Sequence, residues 1–145
     1  MDNDYSTDGT TPQPLRIFLA DDDDDDSLLF ELTLRQHVPN CEFHRFDNGL
    51  SLLAALETAS TRPDAIFLDI NMPRLNGAET YHHLQQYPDW SAIPTVVLTG
   101  LEDREQLTKH YHINYDQWRQ KPSTILELAK IIIEQLPETK RVLSH

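Results

Sequence analysis

The chain has 145 residues, with 24 acidic side chains against 12 basic ones and a formal net charge of −12. Such a field repels phosphate backbones and argues against direct nucleic-acid binding, while it suits cations and basic protein surfaces. The single cysteine, Cys41, rules out an intrachain disulfide and points to a reducing, cytoplasmic setting; the polar, acidic start does not read as a signal peptide, and no apolar run approaches the roughly 20 residues that span a bilayer.

In chain order, residues 1–14 are rich in Asp, Ser, Thr, Asn and Pro and read as a disordered tail. A compact apolar run over 15–20 predicts a strand, and 26–38 a helix with Leu29, Phe30, Thr33 and Leu34 on one face. Residues 42–46 alternate as a short strand, 49–59 are helical through Leu52, Leu53 and Leu56, and 65–68 form an apolar strand. A helix over 78–87 carries Tyr81 and Leu84, and the β-branched run 95–98 predicts a buried strand. The pattern over 102–111 is weakly helical, and 115–119 reads as a strand polar enough for a sheet edge. A strong helix follows over 124–136, with Thr124 and Glu127 spaced as a capping box. The folded domain is expected over 15–137, followed by a second tail over 138–145.

Five successive strand–helix units imply the α/β class, a parallel sheet with helices on both faces. In such sheets ligands bind outside the carboxyl ends of the strands. The residues there are Asp21 and Asp22 after the first strand, Asp69 after the third, Thr99 and the small Gly100 after the fourth, and Lys121 after the fifth. Folding alone does not ask for such a gathering, because two carboxylates about 5 Å apart repel by roughly 3 kcal/mol at an effective dielectric near 20. A divalent cation removes that cost, and a ligand set of hard oxygens without Cys or His favours Mg²⁺. Asp69 is then an oxygen nucleophile able to form an acyl phosphate, and Lys121 a fixed positive charge for phosphate oxygens. Thr99 can hydrogen-bond the transferred group, and Gly100 leaves room for it. No second base is needed, since phosphoryl transfer mostly demands positioning and electrostatics.

Four segments, IFLADD, FLDINMPRLNG, VVLTG and QKPS, stand in this order across nearly the whole folded part. As a set they resemble the receiver domain of bacterial two-component response regulators, of the single-domain type. The resemblance implies a flavodoxin-like (βα)5 fold with strand order 2-1-3-4-5. It makes Asp69 the phosphoacceptor, Asp22 a direct Mg²⁺ ligand, Asp21 a ligand through water, and Asn71 the residue whose backbone carbonyl completes the metal site. Thr99 matches the switch hydroxyl, Lys121 the family lysine, and Trp118 the aromatic switch position. The peptide bond between Lys121 and Pro122 is expected to be cis by the same resemblance. The implied donor is a sensor histidine kinase or phosphotransfer protein, and the implied output is contact with a downstream protein target. Such a domain is not an enzyme in the usual sense, for it catalyses only its own phosphorylation and dephosphorylation. Departures from the family pattern are the Trp at 118, more often Tyr or Phe, the polar Ser123 after Lys-Pro, and the polar fifth strand.

Plainer readings stand beside these. Asp23 to Asp26 read as a solvated acidic stretch, with Asp26 capping or charging the first helix. An EF-hand is rejected, since the run lacks the central glycine and the closing glutamate. Asn76 and Gly77 read as a plain turn, Asn114 as a left-handed helix cap, and His82, His83, His110 and His112 as surface residues. Trp118 is either edge-strand packing or a switch. The last helix carries Leu126, Ile131 and Ile133 beyond its main apolar stripe, which fits a wider buried face or a homodimer or partner surface. Two other functions compete: a receiver-fold binding module that works without phosphate, and a phosphatase of the haloacid dehalogenase type. The intact site argues against the first. Against the second, that class has a second Asp where this chain has Asn71, and its extra acidic pair follows the lysine.

Overall fold

A computed structural model of the chain describes residues 14–100 and 104–137. Residues 1–13 and 138–145, on which the two tail expectations fall, lie outside the described residues.

Five parallel strands form one sheet: β1 (Leu15–Ala20), β2 (Cys41–Phe46), β3 (Ala65–Asp69), β4 (Thr95–Thr99) and β5 (Trp118–Gln120), in the order β2-β1-β3-β4-β5. The helices are α1 (Asp24–His37), α2 (Gly49–Thr58), α3 (Gly77–Gln85), α4 (Pro88–Ser91), α5 (Arg104–Lys109) and α6 (Ile125–Gln135). Side chains alternate across each strand and so build two cores. Phe18, Ile66, Leu68 and Val97 face one side and pack with Leu52 and Leu56 of α2, Leu84 of α3 and Leu107 of α5. Ile17, Leu19, Phe67, Val96 and Leu98 face the other and pack with Phe30 and Leu34 of α1 and Leu128 and Ile132 of α6. All five residues of β3 are buried, as expected of the central strand of a parallel sheet covered on both faces.

Register is what brings the site together. Ala20 aligns with both Phe46 and Leu68, Asp69 with Leu98, and Thr99 with Gln120. The strands thus end nearly level, and the residues following them share one edge.

Several boundaries differ from the sequence reading. The first helix begins at Asp24, and its cap is Asp23, not Asp26: the Asp23 carboxylate accepts the Asp26 N–H at 2.9 Å. Asn76 and Gly77 are more than a turn, because Asn76 and Glu79 form a complete capping box that starts α3. The helix α4, begun by Pro88, was not expected; a proline needs no helical N–H in its first turn. The fifth strand is shorter than 115–119. Tyr115–Gln117 is a 3₁₀ turn, closed by the Gln117 N–H on the Asn114 carbonyl at 3.0 Å, and sheet pairing starts only where Val97 meets Trp118. Asn114 has a φ of −75°, and the left-handed residue in this loop is His112, at 56°. Ile131 and Ile133 pack partly into the core, which accounts for the wider apolar face of α6, while Leu126 stays exposed. The bond between Lys121 and Pro122 is trans, the isomer that a prolyl peptide itself prefers by about 0.5–1 kcal/mol.

Candidate functional site

At the end of β1, the Asp21 N–H donates to the Phe46 carbonyl at 2.9 Å, so the ladder runs one residue past the strand. The Asp21 side chain is buried and accepts the Asp23 N–H at 2.9 Å. Arg45, near the end of β2, ties the loop down: its Nε donates to the Asp21 carbonyl at 3.1 Å, and its Nη1 pairs with Asp24 at 2.9 Å. Asp22, next in sequence, is exposed and points its carboxylate toward the same cluster.

Asp69 ends β3 and is 5 % exposed. The loop after it folds back closely, with the Gly77 N–H on the Ile70 carbonyl at 3.2 Å. A Cβ on Gly77 would lie 2.3 Å from the Asp69 carbonyl oxygen, so only glycine permits this approach. The Thr99 hydroxyl, fully buried, donates to the Gly100 carbonyl at 3.2 Å. The Lys121 N–H bonds the Thr99 carbonyl at 2.7 Å, which fixes the lysine backbone to the end of β4.

Carboxylate oxygens of Asp21, Asp22 and Asp69 all lie within 4.8 Å of one another. A magnesium ion takes oxygens at about 2.0–2.1 Å, so small side-chain rotations suffice for these three to share one ion. The donor set, all hard oxygen, fits it. Lys121 Nζ lies 2.9 Å from Asp69 Oδ1, 2.5 Å from Asp26 Oδ2 and 3.7 Å from Asp21 Oδ2. An open cleft beside the cluster is lined by Asp22, Asn71, Met72, Asn76 and Tyr111. Trp118 is turned inward, packed in the core cluster that holds Val97, Leu107 and Ile113, three positions before the lysine.

The charges of this cluster are coupled. Burial pushes the Asp69 carboxyl up to about 6; Lys121 pulls it back, and Asp21 and Asp26 add repulsion. Asp21 is raised as well, mainly by burial, against the Asp23 N–H and Lys121. Burial alone would lower Lys121, but its hydrogen bonds to Asp26 and Asp69 and the nearby charges of Asp69 and Asp21 together outweigh it and raise it, so it stays an ammonium.

The structure therefore brings Asp21, Asp22, Asp69 and Lys121 into one cluster, sets Thr99 and Gly100 at its β4 side, and leaves Asn71 on the cleft wall. Sequence reasoning missed Asp26 and Arg45. Asp26 lies in the first turn of α1, and its partner Lys121 is 95 positions away, so no local pattern signalled the contact. Arg45 is the penultimate residue of β2, so a search of the residues after each strand passes it by.

A five-stranded parallel sheet wrapped in helices, with an acidic cluster and a lysine at its carboxyl edge, defines a class, and comparison with known proteins agrees. The sequence pattern of the response regulator receiver domain matches residues 17–133, and the chain belongs to that family. It is 29 % identical over 124 residues to the response regulator Rcp1 of Synechocystis, covering 82 % of this chain and 84 % of that protein. It is 27 % identical to the protein PilG of Pseudomonas aeruginosa, covering 85 % and 88 %. The crystal structure of the Mn²⁺-bound form of Rcp1 superposes with a TM-score of 0.68, at 29 % identity over 82 % of this chain and 89 % of that one. That of the phosphorylated cyanobacterial phytochrome response regulator RcpA gives 0.73, at 25 % identity over 91 % and 99 %.

Proposed function

We propose that this chain is a phosphoacceptor switch in which Asp69 takes a phosphoryl group from a sensor histidine kinase or phosphotransfer protein. The observation that carries the reading is the buried Asp69 carboxylate, held 2.9 Å from the Lys121 ammonium and clustered with Asp21 and Asp22. In this reading Asp21, Asp22, Asp69 and the Asn71 backbone carbonyl hold Mg²⁺. When bound, the ion neutralises carboxylate and phosphoryl charge and aligns the transfer. The Mn²⁺-bound form of Rcp1 supports a divalent site, and the phosphorylated form of RcpA supports the chemistry.

The residues divide the work. Asp69 supplies the attacking oxygen, and its burial excludes water from one side of it. Lys121, fixed by its backbone to β4, presents donors to phosphoryl oxygens. The Thr99 hydroxyl is a rotor with one weakly placed acceptor, the Gly100 carbonyl, and can turn toward a phosphoryl oxygen. Gly100 keeps that approach open. Movement of Thr99 would then be felt by Trp118, which is buried beside Val97 of the same strand, so the face around β4 and β5 becomes a surface read by a downstream protein. The receiver unit spans 15–137 in this reading, and its activity is confined to its own phosphorylation and dephosphorylation in the cytoplasm. Among the described residues no helix is long and apolar enough to cross a membrane.

The test is incorporation of one phosphoryl group from acetyl phosphate, followed by intact mass. Labelling that requires Mg²⁺ and disappears in Asp69→Asn is the expected result. Undiminished labelling of Asp69→Asn would overturn the assignment of Asp69, and no labelling of the wild type would favour a module that binds without phosphate.

A further inference from the structure

Of the carboxylates in the acidic run that the phosphoryl chemistry leaves without a task, Asp26 is the one in contact with Lys121. Asp26 reads from sequence as a solvated helix-end residue, yet its Oδ2 accepts a hydrogen bond from Lys121 Nζ, as Asp69 Oδ1 does at 2.9 Å. Asp21 is a third and looser partner at 3.7 Å. An ammonium has three donors, and Asp26 and Asp69 take two of them while Asp21 adds only its charge nearby.

The supports of this contact differ in stiffness. Asp26 sits in the first turn of α1 with its N–H held by Asp23, so its backbone is fixed. Its side chain is 43 % exposed against 7 % for Asp69. Asp26 can therefore release the ammonium to water, whereas Asp69 cannot. The Lys121 backbone is held by its own N–H on the Thr99 carbonyl, so its flexible stem starts from a fixed point beside these carboxylates.

We propose that Asp26 is a positioning residue that holds Lys121 in the resting protein and gives it up when a phosphoryl group reaches Asp69, thereby slowing phosphorylation. The inference rests on the phosphoacceptor reading above. Transfer from acetyl phosphate forms a bond between an Asp69 carboxylate oxygen and phosphorus, breaks the phosphorus–oxygen bond of the donor, and releases acetate. The incoming group is a dianion that needs the donors Asp26 occupies, and the Asp26 charge opposes its approach. Asp26→Asn keeps the size and place of the side chain but removes the charge. Asp26→Glu keeps the charge.

The experiment measures phosphorylation of the full chain by acetyl phosphate with Mg²⁺, across donor concentrations, by intact mass. Asp26→Asn is expected to raise the apparent second-order rate constant about 10-fold, the size of one weakened charge-assisted hydrogen bond. The gain should shrink as ionic strength rises, because it is a charge effect in a partly exposed place. Asp26→Glu should restore the wild-type rate, a rescue that a merely structural role does not predict. Equal rates in wild type and Asp26→Asn would overturn the proposal. So would slower labelling of Asp26→Asn, which would make Asp26 an aid to transfer. A wild type that labels normally beside an unchanged Asp26→Asn defeats this inference alone; a wild type that does not label defeats the phosphoacceptor reading and this inference with it.

Discussion

Replacing Asp69 by Asn should stabilise the metal-free protein, and the gain should depend on pH. The folded carboxyl is raised from 3.8 to about 6, chiefly by burial, and Lys121 only partly corrects this. A raised folded value means the group favours the fold while protonated. That contribution is complete below pH 3.8 and is lost as pH rises through 6. Above pH 7 the wild type therefore carries the full burden of a buried charge, which Asn does not. A shift of about two units sets a ceiling near 3 kcal/mol, at 1.36 kcal/mol per unit, and screening through the open cleft brings this to about 1–2 kcal/mol. For a domain of this size that is a rise of roughly 4–8 °C in melting temperature. Melting followed by circular dichroism in EDTA, at pH 7.5 and at pH 4, reads it directly. The variant should melt higher at pH 7.5 and draw level with the wild type at pH 4. Added Mg²⁺ should then raise the wild type and leave the variant nearly unmoved. A variant less stable at pH 7.5, or a difference that ignores pH, would refute the reasoning.

Two further outcomes follow from packing. Gly77→Ala would put a methyl group 2.3 Å from the Asp69 carbonyl oxygen and 3.0 Å from the Ile70 Cα. Backbone must shift to admit it, which should cost about 2–3 kcal/mol and weaken divalent-ion binding; an unchanged urea midpoint would contradict this. Burial, with the charges of Asp64 and Glu42, pushes the Cys41 thiol up to about 12. Alkylation by iodoacetamide at pH 8.5 should therefore be much slower in the folded chain than in urea, and equal rates would contradict the burial. By the same sign, the stability this thiol contributes is present below pH 9 and is lost toward pH 12.

Legibility from sequence followed burial. β1, β3 and β4 are largely buried on both faces, so they read as compact, mostly apolar runs and were placed to within a residue at each end. The rule that ligands gather at strand ends then selected Asp21, Asp69, Thr99 and Lys121, because register alone levels those ends. β5 was overextended because an edge strand is polar and looks like the turn that precedes it. α4 has four residues, too few to show a period. Asp26 could not be assigned from its neighbours, since its partner Lys121 lies 95 positions away and the contact exists only after α1 and α6 close over the sheet. Arg45 is similar: its link to Asp21 joins two strands that no local pattern connects.

The central claim concerns which carboxylate carries the phosphoryl group, and one measurement reads that residue. The chain is phosphorylated with acetyl phosphate and Mg²⁺, the acyl phosphate is reduced with borohydride, and the modified peptide is sequenced by mass spectrometry. Reduction confined to position 69 is the predicted result. A mark on Asp21 or Asp22, or no mark on a chain that binds Mg²⁺, would contradict the account.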